Sequence, residues 1–65
     1  MVRIDARGMR CPWPAIRLGK ALRDRPLPIE ILADDPAAPR ELAAVAKAAG
    51  RVLRDEGGGR FTVAE

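Results

Sequence analysis

Apolar residues recur along this chain with two different periods, and the switches between them divide it into six short segments. Val2-Arg3-Ile4-Asp5 alternates apolar and polar, the period-two pattern of a half-buried strand. Ala6 to Arg10 breaks the pattern and contains Gly8, which is free to take a positive φ, so this stretch reads as a loop. Beyond it, Ala15, Leu18, Gly19 and Leu22 share one face at helical spacing, while Arg17 and Lys20 fall away from that face. Pro12 and Pro14 suit the first turn of this helix, where a missing N–H costs nothing. Pro26 ends the helix and Pro28 reinforces the break.

The second half repeats the logic. Ile29-Glu30-Ile31-Leu32-Ala33 reads as a second, more buried strand. Asp34-Asp35-Pro36 reads as a strand-to-helix junction, with Asp at the N-cap and Pro just inside. Leu42, Val45, Ala46 and Ala49 follow at i, i+3, i+4 and i+7, an amphipathic helix that Gly50 stops at its C′ position. Arg51-Val52-Leu53-Arg54 and Arg60-Phe61-Thr62-Val63 read as strands, with Glu56-Gly57-Gly58-Gly59 as the hairpin turn between them. The order β-α-β-α-β-β predicts an α/β two-layer sandwich: a four-stranded mixed sheet with two helices on one face. The last two strands are antiparallel by the hairpin, and a helical crossover favours a parallel first pair if those strands are neighbours. No repeat, linker or low-complexity tract divides residues 1–65, so a single domain is expected.

Composition narrows the chemistry. At 65 residues the chain lies near the lower end of what folds without staples, and its core must be aliphatic because Trp13 and Phe61 are its only aromatics. Cys11 is the only cysteine and histidine is absent, which excludes an internal disulfide and a Cys/His zinc site; no metal or other cofactor is expected. One unpaired thiol suits a reducing cytoplasm better than an oxidising compartment. No apolar run follows Met1-Val2-Arg3-Ile4-Asp5, so no secretory leader is expected, and no stretch approaches the roughly 18–20 apolar residues of a membrane span. A net charge of +3 permits a small nucleic-acid-binding domain, which steep salt dependence would reveal. The cations are scattered, however, and form no basic block with interleaved aromatics, so direct nucleic-acid binding is not expected. A basic face instead favours acidic protein partners.

Cys11 lies in Arg10-Cys11-Pro12-Trp13-Pro14 at the start of the first helix. If it caps that helix, unpaired backbone N–H groups and the positive end of the dipole favour its thiolate, and Arg7 and Arg10 are close enough in sequence to add to the field. A thiol pKa below the free value of about 8.5 is the expectation. The alternative is a buried small hydrophobe, the commonest fate of a free Cys, against which the flanking arginines and prolines argue. Acyl transfer needs a base, usually His, and dithiol redox chemistry needs a second Cys. What remains is sulfur acting as nucleophile, carrier and leaving group: the thiolate takes the outer sulfur of a donor persulfide and later yields it to an acceptor thiolate.

Ile4-Asp5-Ala6-Arg7-Gly8-Met9-Arg10-Cys11-Pro12-Trp13-Pro14 resembles the signature of the TusA (SirA-like) sulfur-carrier family, apolar-Asp-x-Arg-Gly-apolar-x-Cys-Pro-x-Pro. Lys20-Ala21-Leu22, Ala33-Asp34-Asp35-Pro36 and Ala49-Gly50 also resemble that family, so the likeness spans about Ile4 to Val63. The resemblance implies the same sandwich and a persulfide on Cys11. It further implies a cysteine desulfurase or thiosulfate sulfurtransferase as donor and a thiol protein, DsrE-like or similar, as acceptor of sulfur from a monomeric carrier. The pathways it implies are tRNA wobble-uridine thiolation, molybdenum cofactor assembly and dissimilatory sulfur oxidation. The chain departs from the pattern in a short Arg23–Pro28 connection, in Glu41-Leu42 where Asp-Ile or Asp-Leu is usual, and in Arg51 where His is common. None of these departures is expected to touch the thiol.

Around Cys11 the supporting positions are Asp5, Arg7, Gly8, Arg10, Pro12 and Pro14. Asp5 either orients the Arg7-Gly8 loop or merely ends the first strand. Trp13 is a docking anchor or a lid packed over the loop, and Arg17 and Lys20 are partner contacts or a solvated face. Asp34 and Asp35 read as cap and turn residues. A non-catalytic adaptor or regulatory module of the same fold is the competing reading of the whole chain.

Overall fold

The structure, a computed structural model, describes residues 1–64. Its elements are β1 (Val2–Asp5), α1 (Trp13–Asp24), β2 (Ile29–Leu32), α2 (Ala38–Ala48), β3 (Leu53–Gly57) and β4 (Arg60–Val63). The four strands form one sheet in the order β1-β2-β4-β3. β1 and β2 are parallel, from Val2 opposite Ile29 to Asp5 opposite Leu32, as a helical crossover between neighbours requires. β4 is antiparallel to β2 on one side and to β3 on the other. The predicted mixed sheet with two helices is therefore the observed architecture.

The core lies between the sheet and the helices. Ile4, Ile29, Ile31, Phe61 and Val63 from the sheet meet Leu18, Ala21, Leu42 and Ala46 from the helices. Leu18, Ile29, Ile31, Leu42 and Val63 are fully buried, and each such aliphatic burial contributes about 1.5–3 kcal/mol. The predicted α1 stripe is rotated relative to this core. Leu18 is buried, but Pro14 and Ala21 join it, while Ala15, Gly19 and Leu22 are half-buried. The reason is the second helix: a Cβ on Gly19 would sit 3.6 Å from Val45 Cγ1, so this edge of α1 packs against α2. In α2, Leu42 and Ala46 are buried as expected, Val45 lies in the seam, and Ala49 is exposed as the C-cap residue.

The start of β3 differs from the sequence expectation, and the helix end explains it. Gly50, at φ 74°, is the C′ residue as predicted. Its N–H bonds to the Lys47 carbonyl at 2.9 Å, and the Arg51 N–H reaches back to the Ala46 carbonyl at 2.8 Å. This Schellman pair commits Arg51 to the helix end. The strand therefore begins at Leu53 and runs to Gly57, leaving Gly58 and Gly59 as the turn. The register jumps between Asp55, opposite Phe61, and Gly57, opposite Arg60, so Glu56 is the extra residue of a bulge.

Glu30 lies in the inner strand β2, the one expected to be the more buried, and is only 2% exposed. Its Oε1 accepts from Arg3 Nε at 2.6 Å and its Oε2 accepts from Arg60 Nε. Arg3 is its direct neighbour across the parallel pair, and the two guanidinium arms cover a carboxylate that burial would otherwise penalise. The Arg60 hydrogen bond, with Arg3 behind it, holds the Glu30 carboxyl below its usual range against the opposing effect of desolvation.

Candidate functional site

Parallel pairing of β1 and β2 brings the two loops that follow them to one end of the sheet. The Ala6 N–H bonds to the Leu32 carbonyl at 2.7 Å, and from there side chains stitch the loops together. The Gly8 N–H donates to Asp34 Oδ1 at 2.9 Å, and the Cys11 N–H donates to Asp35 Oδ2 at 3.0 Å. Asp35 Oδ1 accepts the Ala37 N–H at 2.8 Å, so a single carboxylate bridges the Cys11 loop and the approach to α2. Those amide bonds, Ala37 first and Cys11 second, hold the Asp35 carboxyl below its usual range, with the Arg10 charge adding to the effect. Asp34 and Asp35 are thus turn and tethering residues.

Asp5 does more than end β1. Its Oδ1 accepts from the Arg7 N–H at 3.1 Å and from Arg7 Nε at 2.9 Å, and its Oδ2 accepts from the guanidinium at 2.8 Å. Arg7 holds the Asp5 carboxyl down at about 2. Gly8 follows at φ 82°, a conformation that the loop needs and that a side chain would resist. Arg7 is consequently committed to Asp5 rather than to the thiol.

Cys11 is exposed, but it does not cap the helix. Pro12 is the N-cap, its carbonyl accepting the Ile16 N–H at 3.0 Å, so Cys11 stands one residue before the cap. Pro14 is in the first turn and is buried; Pro12 is not part of that turn. α2 is likewise displaced from expectation. Its N-cap is Ala37 rather than Asp, and the proline inside its first turn is Pro39 rather than Pro36. The shift places Glu41 in the first turn of α2.

Glu41 is the residue that the sequence reading missed. The Cys11 thiol donates to Glu41 Oε2 at 2.6 Å. This hydrogen bond is the main reason the thiol pKa is raised, not lowered; desolvation and the negative charges of Glu41 and Asp35 act in the same direction. Arg40 opposes them, while Arg7 is paired with Asp5 and the charge of Arg10 acts on Asp35. The expected activated thiolate is therefore overturned, and so is the expectation that the Glu41 departure lies away from the thiol. With the start of α2 placed correctly, Glu41 falls in its first turn, at the end of the sheet to which the parallel β1–β2 pair also brings the Cys11 loop.

Trp13 is 59% exposed, too open for a lid packed over the loop, and Ile16 one turn later is 52% exposed. Arg17 and Lys20 are exposed on the same helix. A groove of about 550 Å³ between α1 and α2 begins at Ala15 and Ile16 and continues past Gly19 and Val45. The cavity beside the loop, about 270 Å³ and lined by Gly8, Met9, Arg10, Asp34, Asp35 and Pro36, does not enclose Cys11. The thiol thus stands on the surface, open to a protein-sized reactant. No helix among the described residues is long and apolar enough to cross a membrane.

Comparisons with known proteins agree with one another on the family. The family model described as sulfurtransferase TusA matches residues 2–64. A protein of Archaeoglobus fulgidus, named "Putative sulfur carrier protein", is 40% identical over 55 residues, covering 82% of this chain and 71% of its own length. The crystal structure of a SirA-like protein from Desulfitobacterium hafniense superposes with a TM-score of 0.76 at 29% identity, covering 97% of this chain and 92% of that one.

Proposed function

Because the chain belongs to the TusA sulfurtransferase family, whose role is sulfur transfer, we propose that it is a protein-to-protein sulfur carrier with Cys11 as its sole covalent site. The observation that carries this reading is the setting of the thiol. Cys11 is exposed, pinned through its backbone to Asp35, and without a second thiol or any histidine in the chain. Such a sulfur has no histidine, the usual base of acyl transfer, and no partner for dithiol redox chemistry, but it can exchange sulfane sulfur.

Loading forms one S–S bond and breaks another. Cys11 sulfur attacks the outer sulfur of a donor persulfide R–S–SH; the donor leaves as R–S⁻, and Cys11 becomes Cys–S–SH. Discharge is the same exchange in the other direction, with an acceptor thiolate attacking the outer sulfur and Cys11 leaving. No net oxidation occurs in either step. A cysteine desulfurase or thiosulfate sulfurtransferase suits the donor role, and a thiol protein of the DsrE-like kind suits the acceptor role. tRNA thiolation, molybdenum cofactor assembly and sulfur oxidation are the candidate destinations, in a reducing cytoplasm that keeps the thiol free. Asp5, Arg7, Gly8 and Pro14 shape the loop and the helix start that present the sulfur, while Trp13, Arg17 and Lys20 offer the docking contacts.

Intact mass after incubation with a cysteine desulfurase and cysteine tests the loading step. The expected product is one sulfur atom heavier, reverts with reductant, and is absent from Cys11→Ser. If several donors leave the mass unchanged while the thiol stays alkylatable, the carrier reading gives way to a non-catalytic adaptor.

A further inference from the structure

We propose that Glu41 is a proton latch on Cys11: it holds the free carrier as a neutral thiol, and the thiolate forms only when that carboxylate is drawn off the sulfur or neutralised. This inference rests on the carrier reading only for its biological meaning; the latch itself is a property of the free protein.

The geometry carries the assignment. Glu41 Oε2 lies 2.6 Å from Cys11 Sγ. An ionised carboxylate accepts hydrogen bonds and cannot donate, so the proton in this contact belongs to sulfur. Removing that proton would leave two negative groups in direct contact with nothing between them. No Arg or Lys among the described residues forms an ion pair with Glu41 to relieve the repulsion. The charged groups acting on the sulfur are Glu41 and Arg40 from α2 and Asp35 from the loop before it, while the charge of Arg10 acts on Asp35. Of these only Arg40 favours the thiolate, and the net bias raises the thiol pKa.

The contact is also held on both sides. Asp35 ties the Cys11 N–H and the Ala37 N–H to one carboxylate, and the Ala37 carbonyl accepts the Glu41 N–H at 3.1 Å. Thiol and latch are therefore mounted on a single hydrogen-bonded frame, and neither depends on a freely swinging loop. When the latch opens during loading, the Cys11 proton leaves to solvent or to the departing donor thiolate. The balance is then Cys–SH plus R–S–SH giving Cys–S–SH plus R–SH. A carrier whose thiol is latched between partners resists adventitious oxidation and alkylation, which need thiolate character.

Iodoacetamide alkylation of the full chain against pH tests the latch without any sulfur donor. Its outcome is therefore independent of whether the protein carries sulfur. Wild type, Glu41→Gln and Glu41→Asp are compared, with far-UV circular dichroism confirming that each is folded. Wild type should titrate above the free-thiol value of about 8.5. Glu41→Gln, which keeps the shape and loses the charge, should titrate lower and alkylate several-fold faster at pH 7. Glu41→Asp, one methylene short of the sulfur, should move in the same direction, and it carries the test if the glutamine variant fails to fold. A wild-type midpoint at or below the free value, or folded variants that alkylate at the wild-type midpoint and rate, would overturn the latch.

Discussion

Two acids meet Cys11 with opposite tasks. Asp35 binds its backbone N–H and fixes where the sulfur stands, while Glu41 binds the thiol and fixes its protonation. Replacing Asp35 with Ala should therefore lower the Tm and, by loosening the shared frame, bring the Cys11 alkylation midpoint back toward the free value. Unchanged melting and titration would show that the bridge is incidental. The acid side of the stability curve should reflect Asp5 and Glu30, both held below their usual range. A carboxylate with a lowered folded-state pKa adds stability above its unfolded value of about 4 and loses it as pH falls. For Asp5 that loss runs down to about pH 2, so Asp5→Asn should flatten the fall in Tm between those limits. Cys11 has the opposite sign: its raised pKa adds stability below the ordinary thiol value, and that stability is lost as pH rises through the folded-state pKa. Glu41→Gln should remove this alkaline loss in a Tm series. At this scale the sequence disclosed the thiol and the Asp5-Arg7 loop, because their chemistry is local. It concealed Glu41, which reaches Cys11 from thirty positions away through the pairing of two strands.

The elements were more legible than their ends. Periodicity located both helices and all four strands, because each buries one face and the spacing of that face is written in the sequence. It did not give the start of β3, because the Schellman bonds at Gly50 and Arg51 extend the helix end beyond the last periodic residue. Nor did it reveal how α1 is rotated, which α2 decides through the Gly19–Val45 seam. The hairpin offers a controlled test of backbone geometry. Gly58 has φ +64° with open space around it, whereas a Cβ on Gly59, at φ +81°, would lie 2.7 Å from the Ala33 carbonyl oxygen. Gly58→Ala should cost about 1 kcal/mol, a conformational penalty alone. Gly59→Ala should cost distinctly more, because that carbonyl belongs to the junction where the Ala33 N–H bonds to the Gly59 carbonyl. Thermal melts of the pair measure the difference, at about 4–8 °C per kcal/mol for a domain of this size. Equal losses would mean that the hairpin shifts freely away from β2.

For the molecule as a whole, a small core leaves little margin. Leu42→Ala removes a fully buried side chain and should cost about 2–5 kcal/mol, comparable to the roughly 5 kcal/mol that a small domain possesses. Circular dichroism should find that variant largely unfolded, while Ile31→Val, at about 0.5–1.5 kcal/mol, should stay folded with a lower Tm. The surface is expected to act through rate rather than stability. Arg17→Glu and Lys20→Glu should slow association with a donor enzyme, more at low salt than at high, and leave the Tm nearly unchanged. Fold and family were readable from the chain because the Asp-x-Arg-Gly and Cys-Pro-x-Pro spacings lie in one continuous segment. The donor and acceptor were not, because a docking surface is assembled by the fold rather than written in one segment; the exposed Trp13, Ile16, Arg17 and Lys20 are the surface proposed for it. The central claim is that Cys11 both receives and surrenders sulfur, and a two-step transfer with isotopically heavy sulfur tests it most directly. Carrier loaded by a desulfurase from labelled cysteine is purified away from the donor, mixed with a thiol acceptor, and both proteins are weighed by mass spectrometry. The account predicts that the label leaves Cys11 as an intact atom, appears on the acceptor, and regenerates the free thiol. Label that never attaches to Cys11, or that attaches and stays there while the acceptor remains unlabelled, would contradict it.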